Sequence, residues 1–230
     1  MDATIFPMDR SPALSFAVRA LEKAGISVGN ELSQATHLLL PIPTKDVNFA
    51  DLPDRVTVIG GNLPTIPEQF RKIDLLKEEQ YLAENAHLTA DCALRLLGER
   101  LGVAFRGCPI LVIGWGRIGK CLASMLKALE ADVTVAARKP SDLGLLAALG
   151  YKAVAVSDIR PEQYRAIINT APALILAQDG DYIQIDLASQ QGLAGETVIW
   201  ARGLPGKMLP ESSGALIAQA VLRHLKGGGT

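Results

Sequence analysis

The segment Gly114-Trp115-Gly116-Arg117-Ile118-Gly119 constrains the fold of this chain more than any other feature. An apolar run from Ile110 to Ile113 precedes it, and a segment with helical spacing, Ile118 to Leu129, follows it. A Gly-x-Gly-x-x-Gly turn between a strand and a helix binds the pyrophosphate of a dinucleotide. The first glycine permits the tight turn, the second lets the backbone approach the phosphates, and the third lets the helix pack on the sheet. We therefore predict that a dinucleotide site is formed by Gly114, Trp115, Gly116, Arg117, Ile118 and Gly119; a strand-turn-helix that binds no ligand is the alternative.

The end of the next strand indicates which nucleotide fits this site. NAD enzymes place a carboxylate there, which accepts a hydrogen bond from the ribose 2′-hydroxyl and would repel a 2′-phosphate. Here the strand ends Ala136-Ala137-Arg138-Lys139, with two cations and no acid. The guanidinium fork of Arg138 suits a 2′-phosphate. We predict NADP rather than NAD as the cofactor, with Ala137, Arg138 and Lys139 beside it; a solvated loop after the strand is the alternative.

Polar side chains follow two later apolar runs. Asn169-Thr170-Ala171-Pro172 comes directly after the run that ends at Ile168, and Asp186-Leu187-Ala188-Ser189 closes the next one. Ligands of open α/β sheets lie outside the carboxyl ends of the strands. We therefore predict that Asn169, Thr170, Ala171, Pro172 and Asp186 border the nicotinamide. Turn formation and capping are the alternative roles of Asn169 and Asp186.

The order of the predicted elements indicates an α/β protein with a doubly wound parallel sheet of the Rossmann type, preceded by a smaller α/β layer. The predicted strands are 4–6, 37–40, 56–59, 110–113, 133–136, 153–156, 166–168, 183–187 and 198–200. The predicted helices are 12–24, capped by Ser11 and stopped by Gly25, then 77–101, 118–129, 142–149, capped by Ser141, and 212–225.

Three parts of the chain follow from these elements. Residues 1–80 form a small α/β amino-terminal domain, residues 81–108 a linker helix, and residues 109–230 the dinucleotide-binding domain. An alternative for the terminal helix is that it packs on the first domain rather than on the second.

Composition and charge narrow the classes of partner. Lys and Arg number 23 against 24 Asp and Glu, so the chain lacks the positive charge that nucleic-acid binding needs. No run reaches the roughly 18 apolar residues of a membrane span, and the first residues lack the basic region of a signal peptide, which predicts a cytoplasmic location. The three cysteines, Cys92, Cys108 and Cys121, are predicted to be buried free thiols, and no metal-ligand spacing is present.

Several segments together resemble one family, the A subunit of bacterial dipicolinate synthase, which is related to the D-2-hydroxyacid dehydrogenases. The resemblance runs from about Tyr81 to the end of the chain and is weaker over 85–91. The segments that carry it are Gly114 to Lys120, Ala137-Arg138, Ile168 to Pro172, Ile185 to Ser189, and Gly203-Leu204-Pro205-Gly206-Lys207.

This resemblance implies an enzyme that oxidises a dihydrodipicolinate-type intermediate to dipicolinate with a pyridine nucleotide during sporulation. It further implies a small dicarboxylate substrate and, for a partner, a flavoprotein-like B subunit. Dehydrogenase-type chains of this size usually dimerise, so a homo-oligomer is also predicted.

Catalysis of such an oxidation needs a base for the proton and cations for the carboxylates. The residues available for these roles are Thr89, Asp91, Ser189, Arg202 and Lys207, each with a surface or capping role as the alternative. Arg202 and Lys207 could hold carboxylates, while Thr89, Asp91 and Ser189 could orient or deprotonate the substrate. Three histidines, His37, His87 and His224, are predicted to be structural, with His87 the best functional candidate.

Two other functions remain open. A D-2-hydroxyacid-dehydrogenase-like reductase would combine a catalytic layer and a dinucleotide layer in the same way, but it needs an arginine just after the Asn-bearing strand, where this chain has Thr170-Ala171-Pro172. A non-catalytic NADP-binding regulatory protein is favoured by a short amino-terminal portion and by Glu211-Ser212-Ser213-Gly214, where the family usually has Lys-Thr-Ala-Gly.

Overall fold

The structure is a computed structural model that describes residues 3–44, 52–53, 55–63, 66–177 and 180–227. The chain forms two compact units, residues 1–85 with 205–230 and residues 86–204. The division differs from the predicted 1–80, 81–108 and 109–230, because the last 26 residues belong to the first unit.

Within the described residues the elements are as follows. The strands are β1 (Thr4–Pro7), β2 (Ser27–Val28), β3 (His37–Leu39), β4 (Thr57–Gly60), β5 (Arg71–Asp74), β6 (Pro109–Ile113), β7 (Asp132–Ala137), β8 (Lys152–Ala155), β9 (Ala166–Asn169), β10 (Leu176–Ala177), β11 (Ile183–Asp186), β12 (Leu193–Ala194) and β13 (Ile199–Trp200). The helices are α1 (Pro12–Lys23), α2 (Glu79–Gly98), α3 (Arg117–Ala128), α4 (Pro140–Ala148), α5 (Leu204–Met208) and α6 (Pro210–Gly227).

The first unit is built on a parallel sheet with strand order β2-β1-β3-β4-β5. Ser11 and Pro12 begin α1, and Gly25, with a φ of +83°, follows its end, as the sequence predicts. The terminal helix α6 packs against α1. Gly214 makes this approach close, because a Cβ there would lie 2.5 Å from the Ala13 carbonyl oxygen.

The second unit is built on a parallel sheet with strand order β13-β11-β9-β6-β7-β8. This arrangement corresponds to the strand order of dinucleotide-binding sheets, with the change of direction between β6 and β9. The predicted α/β class with a doubly wound parallel sheet is confirmed. Helices α3 and α4 follow β6 and β7, whereas the chain between β8 and β9 forms only two short 3₁₀ turns, Val156–Asp158 and Pro161–Gln163.

One helix cap differs from the sequence-based prediction, and the short elements β2, β5, β10, β12 and α5 are not among the predicted ones. Edge strand β5 has the sequence Arg71-Lys72-Ile73-Asp74, which lacks the apolar run expected of a strand. Charged residues are common on edge strands, because they prevent the exposed edge from pairing with another chain. Strand β2 has two residues, and α5 covers the Gly-Leu-Pro-Gly-Lys segment. Ser141 lies inside α4; the cap is Lys139, because Pro140 takes the first helical position.

The expectation of three buried thiols is wrong for one of them. Cys92 and Cys108 are free and buried, but Cys121 is half-buried on α3. Burial and the Asp91 carboxylate raise the pKa of the Cys92 thiol to about 11, and burial raises the pKa of Cys108. Both thiols therefore stay protonated at neutral pH, as inert core thiols do.

We predict that Gly214→Ala lowers the free energy of unfolding by about 1–3 kcal/mol, because the new methyl overlaps the backbone of α1. Alanine is the better helix former, so the loss would come from packing alone. The matched control is Gly144→Ala in α4, where a Cβ meets nothing within 4 Å; it should raise stability by up to about 1 kcal/mol. Urea denaturation measures both, and equal effects would contradict close packing at Gly214.

Candidate dinucleotide site

The predicted cofactor-binding residues lie at the carboxyl ends of β6, β7, β9 and β11 in the second unit's sheet. Ile113 is the register partner of Asn169, Asn169 of Asp186, and Asp186 of Trp200. Four neighbouring strands therefore end on one line, and the loops that leave them share the edge where open α/β sheets bind ligands.

Two of the three glycines in the glycine loop lie against neighbouring atoms, and the third has free space around it. Gly114 has a φ of +102°, and a Cβ there would lie 2.6 Å from the Thr170 hydroxyl oxygen. A Cβ on Gly119 would collide with the Gly114 carbonyl oxygen. A Cβ on Gly116 would meet nothing within 4 Å. The two outer glycines are thus required by packing, while the middle one leaves backbone accessible from outside.

Helix α3 begins directly at this open position. Gly116 is the N-cap residue without a side-chain cap, and Arg117, Ile118 and Gly119 form the first turn, which contains no acid. The first amides of a helix lack intrahelical partners and carry the positive end of the helix dipole. This geometry favours a phosphate group in front of Gly116.

Trp115 is half-buried between Tyr151 and Lys120. Its ring packs edge to face on Tyr151, with centroids 5.5 Å apart, and the Lys120 ammonium lies 5.8 Å from its centre. The indole Nε1 is buried and has no hydrogen-bond partner among the described residues. Trp115 therefore anchors the loop through packing, a role that the sequence pattern did not indicate.

The end of β7 carries positive charge and no acid. Ala137 is buried, while Arg138 and Lys139 are exposed and have no ion pair within the described parts of the chain. The first acid beyond them is Asp142, in the first turn of α4. Both cations are therefore free to bind an anion from solution.

Asn169 and Asp186 form a buried network behind the edge, each with 0% of its surface exposed. The Asn169 amide nitrogen donates to Asp186 Oδ1 at 3.1 Å and to the Ala171 carbonyl at 3.0 Å. The amide of Ala188 donates to Oδ1 at 2.9 Å, and the amides of Gly192 and Leu193 donate to Oδ2 at 2.7 and 2.8 Å. Four donors thus satisfy the Asp186 carboxylate, which favours the turn-forming alternative for both side chains.

The remaining residues of the Asn169 segment support the glycine loop. The Thr170 hydroxyl donates to the Ile113 carbonyl at 2.9 Å, and the Ala171 amide donates to Asn169 Oδ1 at 3.0 Å. Pro172 is exposed beyond them. Gly192 is a structural residue that the sequence pattern did not reveal: a Cβ there would lie 2.6 Å from the Asn169 amide nitrogen.

The five predicted catalytic residues are distributed over α2, the segments after β11 and β13, and α5. Thr89 is buried on α2, and Asp91, on the same helix, pairs with Arg95 at 3.2 Å. Ser189 is exposed after β11, and Arg202 is exposed after β13. Lys207 is exposed on α5, in the part of the chain that belongs to the first unit.

None of the three histidines is recorded in contact with a residue of the glycine loop. His37 contacts the Thr36 hydroxyl, and burial, followed by the charge of Arg71, lowers its pKa. His224 pairs with Glu78, which also binds Arg223, and His87 is exposed on α2. No group of three or more His, Cys, Asp and Glu side chains in the described residues could hold a metal ion.

The fold defines a class, the proteins with a doubly wound parallel sheet of the Rossmann type. No family model matches the chain. The chain is 26% identical over 187 residues to the A subunit of dipicolinate synthase from Bacillus subtilis, and the alignment covers 73% of this chain and 63% of that relative. The alignment thus spans less than two thirds of the relative's length.

Solved structures agree with this similarity. The crystal structure of the dipicolinate synthase A subunit from Bacillus halodurans superimposes with a TM-score of 0.82 at 21% identity, over 98% of both chains. The transhydrogenase from Sinorhizobium meliloti gives a TM-score of 0.70 at 14% identity, over 97% of this chain and 92% of that one. The resemblance predicted from the motifs is therefore confirmed. No helix in the described residues is long and apolar enough to cross a membrane.

We predict that Asp186→Asn lowers the free energy of unfolding by about 2–4 kcal/mol, since one oxygen is replaced by an amide group that faces buried donors. The control is Asp181→Asn, on an exposed carboxylate of the same unit, which should change stability by less than about 0.5 kcal/mol. Urea denaturation followed by circular dichroism measures both variants. A small effect at Asp186 would show that the network does not stabilise the fold.

Proposed function

We propose that this chain is an NADP-linked oxidoreductase that oxidises a dihydrodipicolinate-type dicarboxylate to dipicolinate. The observation that carries the proposal is the glycine loop, packed at Gly114 and Gly119 and open at Gly116, beside a strand that ends in free cations. The similarity to the A subunit of dipicolinate synthase supports the choice of substrate.

The chain's own residues fit a dinucleotide at this edge. The first amides of α3 would hold the pyrophosphate in front of Gly116, and Arg138 with Lys139 would hold the 2′-phosphate. Ala171 and Pro172 would border the nicotinamide. Asn169, which binds both Asp186 and the Ala171 carbonyl, would hold this segment in place.

The oxidation transfers a hydride and releases a proton. NADP, when bound, supplies the hydride acceptor. Among this chain's residues, the exposed Ser189 is proposed to orient the substrate or take the proton, and the exposed Arg202 to bind a carboxylate. A flavoprotein-like B subunit, a homo-oligomeric state and a cytoplasmic location belong to the same proposal.

The cofactor preference is tested by Arg138→Ala. Loss of a charged hydrogen-bond donor to the 2′-phosphate should weaken NADP binding by about 10- to 100-fold and leave NAD binding unchanged. Arg160→Ala, on another exposed arginine of the second unit, is the matched control and should alter neither Kd. Isothermal titration calorimetry measures both nucleotides. Tighter binding of NAD than NADP to the unaltered protein would overturn the assignment.

The activity is tested with freshly generated dihydrodipicolinate and NADP, with and without a flavoprotein-like B subunit, by following NADPH absorbance. Gly116→Val should abolish turnover, because its side chain fills the open approach to the backbone. Its melting temperature should fall by no more than about 4 °C, since the position is an uncapped N-cap with free space around it. Tight NADP binding without turnover in either mixture would favour the non-catalytic regulatory protein instead.

A further inference from the structure

An exposed tryptophan and an exposed arginine lie against each other at the far end of the candidate site. Trp200 ends β13 and keeps 45% of its surface exposed, although it is a large apolar side chain. The guanidinium carbon of Arg202 lies 5.4 Å from the centre of its ring. Stacking on an aromatic face fixes the plane of a guanidinium and leaves its N–H donors free at the edges.

The tryptophan ring is itself held by the buried network. Its Nε1–H donates to the Ala188 carbonyl at 3.0 Å, and the Ala188 amide donates to Asp186 Oδ1 at 2.9 Å. The next backbone amide, that of Ala201, donates to the Asp186 carbonyl at 2.8 Å. Trp200, which contacts Arg202, is therefore linked by these hydrogen bonds to Asp186, a residue with no exposed surface. An arginine surrounded only by solvent has no such support.

Among the residues that the structure describes, no acid pairs with Arg202. Nor is this arginine among the described residues with a further interaction. Gly203 follows it with a φ of +64° and turns the chain immediately beyond. A pre-oriented fork of donors without an internal partner is suited to bind a carboxylate from solution in two parallel hydrogen bonds.

The location of the pair indicates what kind of carboxylate it meets. Strand β13 is three strands from the glycine-loop strand β6, or about 14 Å at the usual spacing. Dinucleotide sheets place one nucleotide on each half, so β9, β11 and β13 carry the half opposite to Arg138. An acid held by Arg202 would thus lie beside the half of the dinucleotide where the reaction takes place.

We propose that Arg202, stacked on Trp200, is the carboxylate-binding element for a planar aromatic dicarboxylate, with Trp200 as its positioning residue. This rests on the proposed function for the identity of the acid and for the dinucleotide bound beside it. Arg202 forms the bidentate contact, and Trp200 with Ala188 limits the orientations that the guanidinium can take.

Calorimetric titration with dipicolinate, in the presence of NADP and without turnover, tests this assignment. Arg202→Gln should weaken dipicolinate binding at least about tenfold, and Arg202→Lys should restore only part of it, because an ammonium cannot make the bidentate contact. Trp200→Leu should weaken binding more than Trp200→Phe, which keeps an aromatic face. The Kd of NADP should stay within about threefold in every variant, and Arg160→Gln is the control.

Kinetic measurements distinguish the carboxylate-binding role of Arg202 from the positioning role of Trp200. They also test the carboxylate site separately from the proposed oxidation. The positioning role of Trp200 predicts that its variants raise KM more than they lower kcat, with Phe closer to the unaltered protein than Leu. No dipicolinate binding by the unaltered protein, or equal binding by Arg202→Gln, overturns the inference. Arg202-dependent binding without turnover would leave the carboxylate site standing and reject the oxidation, while normal turnover by Arg202→Gln would do the reverse.

Discussion

The carboxylate of Asp186 is the interaction on which the rest of the candidate site depends. It lies at the end of β11 with no exposed surface and accepts hydrogen bonds from Asn169 on one side and from the amides of Ala188, Gly192 and Leu193 on the other. A buried carboxylate is tolerated only when its oxygens are satisfied. The loops after β9 and β11 must therefore keep one arrangement relative to each other.

The short segment Asn169-Thr170-Ala171 connects this network to the glycine loop. Asn169 binds Asp186, while the Thr170 hydroxyl binds the Ile113 carbonyl and fills the space beside Gly114. The two halves of the sheet edge are thus fixed to each other at the position where strand order changes direction. Of the three loop glycines, Gly116 is the one without a close neighbour, which leaves the loop backbone open there.

Each half of the sheet edge carries an exposed arginine. Arg138 lies after β7 and Arg202 after β13, and neither has an acidic partner within the described residues. Four strand spacings separate β7 from β13, or about 19 Å. On the proposed function, one arginine would bind the 2′-phosphate at one end of an extended cofactor, and the other would bind the acid at its reacting end.

Local sequence determined most strands of the two large sheets, the glycine loop, the helix that follows it and the cations at the end of β7, because hydrophobic period and glycine spacing act within a few residues. It did not reveal β5, whose charged residues suit an exposed edge, or the role of Gly192. Nor did it show that Asn169 and Asp186 bind each other, or that Trp200 holds Arg202. The Asn169–Asp186 contact joins residues on different strands, and the support of Trp200 comes from the loop after β11. Only the parallel register, which brings Ile113, Asn169, Asp186 and Trp200 onto one line, decided which side chains could meet.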